Sequence, residues 1–370
     1  MVSERSDVIV IGAGAMGTST ARHLAARGRS VLLLERFDLG HARGSSGGPT
    51  RIFRLPYHNP SYTRLARRAL GTWRALEDES DETLLTITGG LDVGPVVPAT
   101  AAVLDAAGEP YELMTAEDVH LRWPALRLDP GAPAIYHAEA GVLRAETTVR
   151  AQARLAVAAG AELREGTTVE KIERAGDAVA VTTATGERWE APAAVVTAGP
   201  WAGPLLATAG IDLPLVPSRE QVSYFELPDP ADLPTLIDWN AERIEVPYAV
   251  PDPAEPGSFK AGFHRSGPVA APDGAGEPDP SLVARAEAFA ARRYPGARPT
   301  GRTDTCFYTC TPDEDFAIGC VGPIVVASPC SGHGFKFAPL FGEVLADLAT
   351  GAQPSVDLSM FRVDRRALRT

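Results

Sequence analysis

The chain has no long hydrophobic run. No stretch approaches the ~20 apolar residues that cross a bilayer, and the start, Met-Val-Ser-Glu-Arg-Ser-Asp, is polar, with only a short, glycine-broken apolar segment behind it. The expectation is therefore no targeting segment, no membrane contact and a cytoplasmic protein. Cysteine is sparse and confined to Cys306, Cys310, Cys320 and Cys330, with no CxxC pair. A zinc site thus has no support, and no metal is expected. A cytoplasmic chain of this size has no need of disulfides. Cys310, Cys320 and Cys330 read as small buried side chains, and at least one cysteine invites another explanation. Basic character is also short: net charge is −12 and the pI is near 5.1. The arginines are scattered apart from pairs such as Arg67-Arg68 and Arg292-Arg293, so nucleic-acid binding is not expected.

What is present is a phosphate site. The run Val8-Ile9-Val10-Ile11 reads as a buried strand, and Met16 to Arg27 as a helix with Ala21, Leu24 and Ala25 on its apolar face. Gly12, Gly14 and Gly17 lie between or just inside them. The first permits the tight turn, the second lets backbone approach a pyrophosphate, and the third lets helix pack on strand. The helix N-terminus offers free N–H groups and a positive dipole end. A second run, Val31-Leu32-Leu33-Leu34, ends in Glu35, placed to accept from a ribose hydroxyl. A carboxylate there argues against NADP; it does not separate NAD from FAD.

With 370 residues the chain can fill two lobes. Gly40 to Thr50 is a polar, glycine-rich loop, Pro60 to Glu79 a helix, and Thr86 to Val97 a strand pair broken by Gly89-Gly90. Ala145 to Ala159 is helical. Ala161 to Thr197 is β-rich and ends in Ala198-Gly199-Pro200-Trp201, a second small-residue approach to the nucleotide. Gln221–Phe225, Tyr248–Val250 and Ser258–His264 read as a separate sheet, Ser281–Arg293 as a helix, Ile324–Ala327 as a strand and Leu340–Ala349 as a helix. No internal repeat is visible. The expected fold class is α/β: a Rossmann-type dinucleotide lobe from residues 1–86, 136–214 and 303–370, and a mostly antiparallel substrate lobe from 87–135 and 215–302.

Five segments carry a family resemblance: Gly12 to Gly17; Gly48-Pro49-Thr50-Arg51-Ile52-Phe53-Arg54; Lys260-Ala261-Gly262-Phe263-His264; Cys306-Phe307-Tyr308; and Ser331 to Phe337. Together they make the chain similar, over nearly its whole length, to the FAD-dependent amine oxidases of the D-amino-acid-oxidase superfamily, in the branch of monomeric sarcosine oxidase and N-methyltryptophan oxidase. The resemblance implies FAD, and a thioether between Cys306 and the flavin, for which a thiolate is the nucleophile. It implies that Lys260 promotes reaction with oxygen by stabilising developing negative charge. Arg54 and Lys336 match a clamp for the substrate carboxylate; Arg51 matches an arginine near the flavin face. Tyr248, Tyr308 and His264 match cavity-lining side chains. Cofactor contacts fall on Gly12, Gly14, Met16, Gly17, Glu35, Arg36, Ser45, Thr50, Arg51, Val169, Gly199, Trp201, Cys306, Gly332, His333, Gly334, Phe335 and Lys336.

Two segments depart from the family pattern. The loop Gly44-Ser45-Ser46-Gly47-Gly48-Pro49 lacks the histidines and the acid that sarcosine oxidases carry there, and Pro49 removes a backbone donor. Ile237 to Gly257, which lines the cavity, is also poorly matched. The resemblance implies oxidation of a secondary or cyclic α-amino acid to an imine, with oxygen reduced to hydrogen peroxide, by a monomer. Three other readings stay open: a biosynthetic oxidase of a cyclic imino acid, a dehydrogenase passing electrons to a carrier, and a non-catalytic FAD-binding subunit. The set Arg54, Lys260, Cys306 and Lys336 argues against the last. An NAD dehydrogenase leaves the C-terminal half unexplained.

Overall fold

The buried strand Val8–Ile11 is the centre of the first layer, pairing in parallel with Val31–Leu34 on one side and Ala193–Val196 on the other. The computed structural model describes residues 6–240, 244–274 and 276–368; the polar start Met1 to Arg5, read above for targeting, lies outside them. Ile324–Ser328 extends the sheet beyond Ala193–Val196 and Glu162–Arg164 beyond Val31–Leu34, both in parallel, while Ala317–Val321 closes one edge antiparallel. Its central strands are buried throughout. Both faces are covered, which is why they read as continuous apolar runs rather than as alternation. Helices Ala15–Ala26, Ala145–Ala158 and Ala338–Ala349 pack together on one face. A three-stranded sheet, Val169–Ala175, Ala178–Thr183 and Arg188–Ala191, covers part of the other through Ile172, Val179, Val181 and Trp189.

The second large sheet runs in the order Arg298–Cys310, Val216–Glu226, Ser258–His264, Val246–Pro251, Thr235–Asp238, Gly90–Val93, Ala134–His137, Glu112–Met114. Its neighbours are antiparallel except for the pair Thr235–Asp238 and Gly90–Val93. Strand alternation assigns its faces. Phe259, Ala261 and Phe225 point away to pack with Phe289 and Tyr294 around the helix Pro280–Arg293. The alternate residues Lys260 and His264, Val246, Tyr248 and Val250, and Cys306 and Tyr308 line one cavity. The expected lobe boundary at 302/303 falls inside Arg298–Cys310, which pairs along its length with Val216–Glu226 in this sheet.

Two expectations change in detail. Leu85–Ile87 and Gly90–Val93 are both strands, but they do not pair with each other. The first joins Thr50–Phe53 and Gly141–Arg144 in a small sheet, and the second enters the large one. Period-2 patterning identifies a strand without naming its partner, and Gly89, at φ 72°, redirects the chain between them. The last helix begins at Ala338, with a 3₁₀ turn Phe335–Phe337 leading into it.

The glycine turn is sterically closed. A Cβ on Gly17 would lie 1.8 Å from the Gly12 carbonyl oxygen, and one on Gly12, whose φ is 98°, would lie 2.7 Å from the Thr197 carbonyl oxygen. Backbone and not a flexible side chain fills that space, so it cannot yield cheaply. Gly17→Ala is therefore expected to lose about 2 kcal/mol of stability in urea unfolding and to purify with a lower ratio of visible to 280 nm absorbance; unchanged values for both would remove the helix–strand contact as the reason for glycine.

Candidate active site

One cavity of about 1570 Å³ joins the glycine turn to the substrate-sheet face. Of the residues expected at the cofactor, all but Gly17 line it, as do Lys260, His264, Tyr308, Arg54 and Tyr248. Gly17 does not, because its place is the helix–strand contact behind the turn.

At the nucleotide end, Glu35 follows its strand and is buried. Its two oxygens accept from the Ala13 N–H at 2.7 Å and the Phe37 N–H at 2.9 Å, and His41 Nε2 lies 3.3 Å away. Burial alone would raise its pKa, but the hydrogen bonds outweigh it and hold the carboxyl below its usual range. Ser46 Oγ accepts from the first helical N–H, that of Ala15, at 3.0 Å. Thr197 Oγ1 donates within the turn, 2.8 Å from the Gly12 carbonyl. Arg36 and Phe37 gather around Trp201, the guanidinium 5.5 Å from the indole centre and the phenyl ring 5.5 Å from it.

The donor set suits a dinucleotide. The exposed N-terminus of Ala15–Ala26 meets anionic phosphate. Glu35 Oε2, which accepts from Ala13 alone, keeps a lone pair for a ribose hydroxyl. Gly12, Gly14, Met16, Glu35, Arg36, Ser45, Thr50, Val169, Gly199 and Trp201 would hold this part of FAD. The segment Gly332 to Lys336 and the strand residues Arg51 and Cys306 would face its ring end.

That second end is rich in buried cations. The whole chain has three lysines, Lys171, Lys260 and Lys336; Lys171 is on the surface, while Lys260 and Lys336 are only 6% and 5% exposed here. Lys260 donates to the Thr50 carbonyl at 2.7 Å. Burial, helped by Arg51, pulls its pKa down to about 7. Lys336 donates to Tyr57 Oη at 3.0 Å and the His333 carbonyl at 2.7 Å. Burial and then Arg54 push its pKa well below the usual lysine range, against a pull from Asp92. Arg51 turns its donors onto the carbonyls of Ser45, Gly47 and Thr50, at 2.9, 2.6 and 2.8 Å, and so shapes that glycine-rich loop.

Arg54 is buried between two rings, its guanidinium carbon 4.0 Å from the centre of Tyr57 and 5.4 Å from that of Trp239. It donates to the Pro56 carbonyl and lies 3.5 Å from Asp92 Oδ1. Asp92 is 4% exposed and accepts from Trp239 Nε1 at 2.7 Å. Burial raises its pKa, opposed by Arg54, the indole and Lys336. Tyr57 and Asp92 escape the sequence reading, and Trp239 entered it only within the cavity-lining segment Ile237 to Gly257. Asp92 alone leaves a signal, as an acid inside the apolar strand Leu91-Asp92-Val93.

The remaining groups are neutral at ordinary pH. Burial drives His264 down to about 3 and raises Tyr248 and Tyr308. Burial also raises the Cys306 thiol, with Arg51 and Lys260 pulling the other way. Elsewhere, Glu109, His137 and Glu139 come within metal-binding distance of one another, but Arg67 bonds both carboxylates and serves as their cation. Among the described residues no helix is long and apolar enough to cross a membrane.

The family model for FAD dependent oxidoreductases matches residues 7–348. Monomeric sarcosine oxidase of Bacillus sp. (strain B-0618) is 35% identical over 386 residues, covering 100% of this chain and 98% of the relative. N-methyl-L-tryptophan oxidase of Salmonella newport (strain SL254) is 30% identical over 377 residues, covering 97% and 98%. Among solved structures, NikD, an unusual amino acid oxidase essential for nikkomycin biosynthesis, superposes with a TM-score of 0.87 at 29% identity, covering 97% and 98%. The chain belongs to the FAD dependent oxidoreductase family, in which the resemblance drawn from its motifs placed it.

Asp92 is the counter-charge of a buried guanidinium. Removing one partner of such a pair costs about 3 kcal/mol or more. Asp92→Ala is expected to lose that much in urea unfolding, and Asp92→Asn, which keeps the acceptor for the indole, less. Equal, small losses in both would show that Arg54 does not depend on the charge.

Proposed function

We propose that this enzyme oxidises a secondary or cyclic α-amino acid to an imine, which water then hydrolyses, while oxygen is reduced to hydrogen peroxide. The observation that carries this reading is the cavity itself, with Arg54 and Lys336 buried together and Lys260 in the same space. Bound FAD supplies the two-electron acceptor and its reoxidation by oxygen. Everything else rests on the chain's own side chains.

Arg54 and Lys336 bind the substrate carboxylate. A guanidinium already fixed between Tyr57 and Trp239 loses little freedom on meeting it, and the ammonium of Lys336 adds a point charge. The amine then sits among Arg51, Arg54 and Lys336, whose positive field lowers its pKa and favours the neutral form that carries a lone pair. No dedicated base is required. His264, Tyr248 and Tyr308, uncharged, shape the cavity without drawing the amine into an ion pair. Lys260 stands where charge develops on oxygen and stabilises it when protonated. Cys306 would hold the flavin covalently; Arg51 and Lys260 oppose the burial that raises its thiol and so lessen the cost of the thiolate that attachment needs. The bound imine-forming chemistry fits a soluble, cytoplasmic monomer, a reading supported by the charge of −12 and by relatives named monomeric.

The first test is the visible spectrum before and after acid precipitation, followed by an amine screen with peroxide readout. A yellow pellet from the wild type and free flavin from Cys306→Ala are expected, with peroxide formed from N-methyl or cyclic amino acids. Flavin released from both proteins would remove the covalent link but keep FAD. Peroxide from primary amines alone would overturn the substrate class.

Lys260 gives a pH signature. Its pKa is lowered, so the charged form prevails below about 7 and is lost above it. The rate of reoxidation by oxygen in stopped flow is expected to fall as pH rises through that region, and to become slow and flat in Lys260→Met. That variant should slow reduction by substrate far less; equal slowing of both half-reactions would sink the role.

A further inference from the structure

Trp239 is held as no ordinary loop residue is. Its backbone N–H donates to the Val93 carbonyl at 2.9 Å, its indole N–H donates to Asp92 at 2.7 Å, and its ring flanks the Arg54 guanidinium. It lies two residues past Ile237 and one past the end of the strand Thr235–Asp238, and both Ile237 and Trp239 line the cavity. Ile237 is in register with Asp92 on Gly90–Val93, so the carboxylate that pins the indole is built into the sheet itself. The ring lines the cavity and Trp239 stays partly exposed.

We infer that Trp239, fixed by Asp92, is a specificity residue that selects a substrate whose amine-bearing carbon belongs to a partly unsaturated, near-planar ring and keeps the hydrogen that oxidation removes. The inference rests on the carboxylate-clamp reading above. With the carboxylate on Arg54, the groups on the adjacent carbon fall beside an indole whose plane is already set. A planar ring gains stacking against it at no ordering cost for the protein. An open N-methyl chain leaves that face uncovered.

The test uses flavin-loaded enzyme and two carboxylates that cannot be oxidised as amines, furan-2-carboxylate as the flat ring and methoxyacetate as the open chain. Binding is read from the perturbed visible spectrum. Wild type is expected to bind the ring acid about tenfold more tightly than the open-chain acid. Trp239→Leu should abolish that preference: both acids lose what a looser Arg54 costs, and the ring acid loses about tenfold more than methoxyacetate. Trp239→Phe, which keeps a flat face, should retain most of it. No preference in wild type, or equal weakening of both acids in Trp239→Leu, overturns the inference while leaving the clamp intact. Neither acid perturbing the spectrum overturns the clamp, and this inference with it. If the leucine variant loses flavin, indole emission decides: ring-acid quenching in wild type that disappears in Trp239→Phe supports the inference, and quenching that persists there overturns it.

Discussion

Keeping cations out of water in one cavity is the constraint around which this molecule is arranged. Arg54, Lys260 and Lys336 are each less than a tenth exposed. An ammonium or guanidinium in such a place is tolerated only with partners, since its desolvation costs several kcal/mol. The chain meets the cost with backbone carbonyls, aromatic faces and one carboxylate. Thr50 and His333 supply carbonyls for the lysines, Pro56 for Arg54, and Tyr57 and Trp239 supply π-faces. Asp92 then neutralises Arg54 without entering the cavity lining. The result is a site positive enough to hold an anion, yet stable before one arrives.

The fold makes this possible by setting two kinds of sheet against one space. The parallel sheet is covered on both faces and presents only its strand ends and the helix N-terminus, the usual place for phosphate. The antiparallel sheet has one face on the core of Phe225, Phe259 and Tyr294, and gives the other to the cavity. Alternation along a strand means that Lys260 and His264 face the cavity because Phe259 and Ala261 face the core. Lys260 and His264 are thus fixed by the apolar neighbours that anchor their strand.

The parallel lobe was legible in the sequence because its signals are local: an apolar run, three glycines at fixed offsets and a terminal acid. Lys260, Arg54, Lys336 and Cys306 were found only through whole-motif resemblance, and the structure brings all four to one cavity. The contact between Asp92 and Trp239 was out of reach for a physical reason. They lie 147 positions apart and meet through a parallel pairing of two short strands. Nothing in either strand's own pattern names the other. For the same reason Thr86 to Val97 was read as a pair, although Leu85–Ile87 and Gly90–Val93 enter different sheets.

Lysine usage points the same way as the geometry. A chain whose basic residues are nearly all arginine places two of its three lysines in the cavity. Arginine stays charged under any load, whereas a buried lysine changes its proton with its surroundings. Arg54 therefore serves as the permanent half of the clamp and keeps Asp92 as its permanent counter-ion. Lys336, whose pKa burial and Arg54 lower, is held in its charged form more firmly when a carboxylate enters beside it. At the other side of the cavity, Lys260 sits near the pH at which it can be either form. The division of labour is then physical: arginine where charge must be fixed, lysine where charge must follow the chemistry.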